Sequence, residues 1–106
     1  MPITTTKTYH PNGQVKILSR HKDGKRHGTW KEWFSNGKLK LVTHYLDDKQ
    51  CGQCVEWHDN RSHQLKVRCR YEQDLPLGLW EEWDKWGKCL FSKTFTHKDY
   101  QTPQSL

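Results

Sequence analysis

HGTWKEWFSNGKLK, residues His27 to Lys40, places three large rings just before Ser35-Asn36-Gly37-Lys38 and a lysine-leucine stretch just after it. Asn-Gly between alternating residues is the strongest short-range signal for a hairpin, and it favours a two-residue type I′ turn. The segment holding Trp30 and Trp33 therefore reads as one strand, and Lys38 to Tyr45 as the next. A second turn, at Asp47-Asp48, ends that hairpin, as Asp23-Gly24 ends the one before it.

The pattern recurs. Gly13 and Gly37 are 24 residues apart, as are Gly28 and Gly52, and Gly52 to Gly78 is 26. The two added residues fall in Asp59-Asn60-Arg61-Ser62-His63-Gln64, a lengthened turn. Trp30, Cys54 and Trp80 align, as do Tyr9, Trp33, Trp57 and Trp83. Val15, Leu39, Leu65 and Cys89 form another column, and His21, Tyr45, Tyr71 and Phe95 another. Self-similarity at this period marks a repeat array. The units are 8–28, 29–52, 53–78 and 79–96, with segments 1–7 and 97–106 expected to be loose. No stretch holds helical spacing for long. The expected fold is all-β: a single-layer antiparallel meander of hairpin repeats with about eight strands.

Composition fits a thin protein. Leu, Ile, Val and Phe supply only 19 of 106 residues, whereas six Trp and four Tyr carry the buriable area. A domain this small buries little more than ~60% of its unfolded surface. The net charge of +6 favours anionic partners or simply solubility. It is uneven: residues 8–28 hold five Lys or Arg and one Asp, while 53–78 and 79–96 each balance to zero. No apolar run is long enough for a transmembrane helix, and MPITTTKTYH lacks a signal-peptide core. Four cysteines in such a chain suit reduced thiols in the cytoplasm.

The Gly-x-Trp strand followed by aromatic-x-Asn-Gly-Lys-Leu-Lys resembles the MORN (membrane occupation and recognition nexus) repeat in its variant form, over residues 8 to about 95. The third unit departs from it, with Cys54 for the first Trp and no Asn-Gly; the fourth has Trp86-Gly87. The resemblance implies a twisted single-layer sheet and a non-enzymatic scaffold that binds protein. It also implies dimerisation and, in some members, binding to acidic phospholipid.

Directly opposite residues on paired strands share a face. With a two-residue turn, Phe34 falls opposite Leu39, Trp33 opposite Lys40 and Trp30 opposite Thr43. Trp30 then joins the aliphatic face and Trp33 the basic one. Tyr9, Trp33, Trp57 and Trp83 would stand beside Lys16, Arg20, Lys40, Lys66, Arg68 and Arg70. Such a ladder is either ring cover under lysine stems or a groove for an anionic or peptide ligand. A bulge near Trp30 to Trp33 would change the parity. The leading expectation is a protein-binding scaffold that forms a homodimer, through an open sheet edge or through aromatic faces. The alternative is a polyanion binder, for acidic phospholipid or nucleic acid, using the basic aromatic face.

Cys51, Cys54, His58 and His63 have the spacing of a zinc knuckle. The repeat argues against it, because Cys54 occupies a tryptophan column and Cys51 shares one with His27 and Leu77. No metal or cofactor is expected. Glu32, Glu56 and Glu82 recur once per unit, which reads as sheet repetition rather than a catalytic pair.

Overall fold

The structure is a computed structural model that describes residues 2–100. It is an open antiparallel sheet. Eight long strands follow one another in chain order: β1 (Thr4–Tyr9), β2 (Val15–Lys22), β4 (Gly28–Trp33), β5 (Leu39–Leu46), β7 (Gly52–Trp57), β8 (Leu65–Glu72), β10 (Gly78–Trp83) and β11 (Cys89–Phe95). Three two-residue strands, β3 (Lys25–Arg26), β6 (Lys49–Gln50) and β9 (Leu75–Pro76), pair back onto β2, β5 and β8. The Cα extents of 60 × 44 × 15 Å are those of one layer. Part of the two segments expected to be loose, 1–7 and 97–106, belongs to regular elements. Thr4 to Lys7 belong to β1, paired from His21 to Leu18, and His97–Tyr100 forms a 3-10 turn; Met1 and 101–106 lie outside the described residues.

The two kinds of turn exchange the roles the sequence implied. At the Asn-Gly hairpin the Gly37 N–H donates to the Phe34 carbonyl and the Phe34 N–H to Lys38, around a three-residue loop. Gly37 alone there has positive φ, at 90°, and Asn36 Oδ1 accepts the Lys38 N–H. This is a type I turn closed by a left-handed glycine, not type I′. The type I′ signature, two consecutive positive φ angles, sits at the return turns instead: Asp23-Gly24 (52° and 78°), Asp47-Asp48 (49° and 70°) and Gln73-Asp74 (49° and 69°). The lengthened loop of the third unit closes between His58 and Gln64, and His63 takes the left-handed place of glycine.

The register slips once per hairpin, always at the same column. Glu32 pairs with Leu41 but Trp33 with Leu39, leaving Lys40 as an extra residue. Lys16, Lys66 and Leu90 are the extra residues in the other units. The expected pairs Trp33 with Lys40 and Phe34 with Leu39 are thus corrected by a bulge, while Trp30 does face Thr43.

Alternation then defines the faces. The first carries Trp30, Glu32, Thr43 and Tyr45 with their equivalents. Trp30 Nε1 donates to Glu32 at 3.0 Å, and Trp80 Nε1 to Glu82 at 2.9 Å. Trp30 meets Tyr45 edge-on at 5.6 Å, and Trp80 meets Tyr71 and Phe95 at 5.9 and 6.1 Å. Edge-on ring pairs contribute about 0.5–1.5 kcal/mol each beyond area burial. Beneath them only Ser19, Thr43, Cys54 and Cys69 are fully buried among the described residues. Among the described residues there is nothing like an aliphatic core.

Gly78 shows why glycine closes each unit. It lies opposite Phe95, and at φ 81° it takes the left-handed conformation that lets β9 turn into β10. No atom stands within 4 Å of where its Cβ would be. Gly78→Ala should therefore act through backbone strain alone and lower unfolding free energy by about 1–2 kcal/mol in urea titration. An unchanged midpoint would contradict the left-handed geometry.

Candidate binding surfaces

The second face holds the other alternating set: Lys31 and Trp33, Val55 and Trp57, Glu81 and Trp83, with Lys7, Arg20, Arg68 and Arg70. Arg68 bonds Glu81 at 2.8 Å, and its guanidinium carbon lies 5.5 Å from the Trp83 ring centre. Tyr9 is 59% exposed, whereas Trp33, Trp57 and Trp83 are half-buried. The repeat glutamates Glu32, Glu56 and Glu82 stand on the opposite face, so this one is net basic. Among the described residues Lys16, Arg20, Lys40 and Arg70 make no ion pair. Lys66 is different. Displaced at its bulge, it reaches Glu56 at 3.5 Å and does not stand over Trp57. The Trp57 ring stacks on His63 instead, at 5.3 Å and 17°.

The zinc-knuckle residues are not gathered. His58 Nε2 donates to the Trp83 carbonyl at 2.7 Å and His63 Nε2 to the Leu39 carbonyl at 2.6 Å. Both side chains thereby link neighbouring hairpins, as His10 does with Trp33 and Asn12 and Asn60 do with Ser35 and Lys85. Cys54 is buried in the middle of a strand. No group of three or more His, Cys, Asp or Glu suited to a metal ion occurs among the described residues.

Two features escaped the pattern reading. One is apolar exposure in the fourth unit: Leu79, Trp86, Leu90 and Phe91 are 51%, 80%, 63% and 44% exposed. Their columns in the second unit hold Thr29, Asn36, Lys40 and a half-buried Leu41. Reading those four columns for polarity would have found it. The other is the rim of return turns. The Arg26 N–H donates to Asp48 Oδ1 at 2.8 Å, and the Asp48 N–H returns to the Arg26 carbonyl at 3.0 Å. Gln50 and Asp74 repeat the exchange at 2.7 and 3.0 Å. At the third place stands Pro76, which has no N–H to give, and its carbonyl accepts the Tyr100 hydroxyl at 2.5 Å. Gly24, in the aspartate column, has no carboxylate. The ladder thus stops at both ends by residue choice.

Residues 4–23 and 26–47 each match the MORN repeat variant family. No curated protein and no solved structure matches the chain.

The rim generates an acid test. The Arg26 backbone N–H, then its guanidinium, hold the Asp48 carboxyl below its ordinary value of 3.8. A carboxylate whose folded value is depressed stabilises above the unfolded value and loses that contribution as pH falls through the folded one. Thermal melting should therefore fall below about pH 4. Asp48→Gly, which keeps the turn geometry seen at Gly24, should melt lower at neutral pH and show a shallower acid decline. Superimposable pH profiles for the two proteins would contradict the rim contact.

Proposed function

Taking this chain as a MORN-repeat protein, we propose that it is a non-catalytic scaffold of the cytoplasm that binds a protein partner, a second copy of itself included, through its fourth unit. MORN repeats are commonly protein- or membrane-binding modules. No helix among the described residues is long and apolar enough to cross a membrane.

The observation that carries the reading is the apolar exposure around β11. In the second and third units the equivalents of Phe91, Leu41 and Val67, are half-buried because another hairpin follows. Among the described residues β11 has no such neighbour, so Phe91 stays open beside an unpaired row of backbone groups; next to it stands Leu90, apolar at the bulge column that holds an exposed lysine in the other units. Exposed apolar residues at an open strand edge are what a partner covers. The 3-10 turn reaches the Pro76 rim through the Tyr100 hydroxyl and stacks the Tyr100 ring on Phe95 at the end of β11, but leaves Leu90 and Phe91 exposed.

A second reading rests on a separate observation, the segregation of charge. Lys7, Arg20, Lys31 and Arg70 share the second face with the ring ladder, away from the three repeat glutamates. That arrangement suits a polyanion, either acidic phospholipid or nucleic acid.

One set of measurements separates the readings. Light scattering at high micromolar concentration should give a dimer whose mass is insensitive to salt. Leu90→Lys with Phe91→Lys should return it to monomer while changing stability by no more than ~1 kcal/mol. A strictly monomeric parent would remove self-association from the proposal. Binding of anionic vesicles or single-stranded DNA that falls steeply with salt, and is lost in Arg20→Glu with Arg70→Glu, would favour the second reading.

A further inference from the structure

Cys54 and Cys69 face each other directly across β7 and β8. They are 7% and 3% exposed and lie on the ring-bearing face. The repeat shows how particular this pair is. The same cross-strand position holds Thr6 with Ser19, Trp30 with Thr43 and Trp80 with Lys93 in the other units. Only in the third unit are both members cysteine.

The surroundings distinguish the two sulfurs. A hydrogen bond from the Cys69 thiol is the largest influence holding the Cys54 thiol below its ordinary pKa, against the opposing effect of burial, and the Thr43 hydroxyl adds to it. Gln50 Nε2 donates to Thr43 Oγ1 at 3.2 Å, which leaves the threonine hydrogen free for the sulfur. The bond to Cys54, then burial, hold the Cys69 thiol well above the usual thiol range. Cys54 is thus the sulfur of the pair that gives up its proton more readily, and Cys69 the one that keeps it. Directly opposite residues in an antiparallel pair have Cα atoms about 4.5–5.5 Å apart, within the span a disulfide bridges without backbone movement.

We propose that Cys54 and Cys69 form a peroxide-reactive dithiol that closes to an intrachain disulfide between β7 and β8. The Cys54 thiolate attacks one oxygen of hydrogen peroxide. The O–O bond breaks, hydroxide leaves and takes up the proton that Cys54 released on ionising to become the first water, and Cys54 becomes a sulfenic acid. The Cys69 sulfur then attacks the Cys54 sulfur, the S–O bond breaks, and the departing hydroxide takes up the Cys69 proton as water. The two thiols are oxidised together by two electrons, and the peroxide is reduced to two waters. Hydrogen peroxide, little larger than water, suits a pair that lies under side chains in a single layer. Cys51 and Cys89 have no cysteine opposite them: Cys89 pairs with Trp83, and Cys51 bonds the His44 carbonyl through its backbone N–H.

The test uses the full chain carrying Cys51→Ser and Cys89→Ser, treated with hydrogen peroxide while folded. The expected result is loss of both alkylatable thiols and a peptide map linking Cys54 to Cys69 within one chain. Dithiothreitol should restore both thiols. Adding Cys69→Ser removes the resolving sulfur, so a dimedone adduct should accumulate on Cys54. The unaltered chain, mapped in parallel, should contain the same link, which keeps the test valid if the variant folds poorly. Two thiols still alkylatable after a treatment that oxidises Cys89 of the unaltered chain would overturn the proposal. So would linkage between chains only, or a Cys69→Ser chain whose Cys54 forms no adduct.

Discussion

Asp48 and Arg26 exchange backbone and carboxylate bonds across successive return turns, and Asp74 and Gln50 do the same. The rest of the structure depends on this kind of contact because a single-layer sheet has no interior. Sheet pairing holds each hairpin to the next along only part of its length: Ile17 and Leu18 pair with β4, and Leu41 and Val42 with β7. Beyond those residues the hairpins are tied at their ends. Aspartates tie one rim, and histidine and asparagine side chains bonded to neighbouring carbonyls tie the other. Each bond contributes little by itself, roughly 0.5–1.5 kcal/mol, but the set repeats with the units.

The half-buried rings complete the account. Trp30 lies across its own hairpin, and Trp80 across its own and the preceding one, rather than beneath a second layer, and each satisfies its indole N–H on the glutamate two residues along. That arrangement explains why Trp and Glu recur together although no catalytic carboxylate pair results. It also explains how a chain with so few aliphatic residues folds: rings cover small residues such as Thr43 and Cys69, and the sheet needs nothing larger beneath them. The wet second face can then carry Arg20, Lys31 and Arg70 without burying their charge.

The period of the sequence made the hairpin order legible, since the columns of Trp33 and Tyr45 recur with their spacing intact. The bulge was harder to see. Lys16, Lys40 and Lys66 looked like ordinary strand residues, yet each precedes residues that point to opposite faces, such as Leu41 and Val42. An alternating pattern read straight through Lys40 therefore misassigns what lies on the turn side of it. The return turns were recognisable as turns, but their reciprocal bonds join residues 22 to 24 apart in the chain and leave no local signature. The fourth unit's exposure has two origins: Leu79 and Leu90 put apolar side chains into columns that hold polar residues in the second unit, which the sequence displays, whereas Phe91 sits in a column that is apolar throughout and lies open because no hairpin follows it among the described residues.

An array held at its rims protects its rim amides, and native-state hydrogen exchange of the full chain measures that protection residue by residue. The amides of Arg26, Asp48, Gln50 and Asp74 lie in or beside two-residue turns, where local fraying would ordinarily leave them fast. If the rim bonds hold the hairpins together, these four amides should exchange as slowly as those of Val42 and Arg68 in the long strands. Rapid exchange at all four, with the mid-strand amides still protected, would contradict the account.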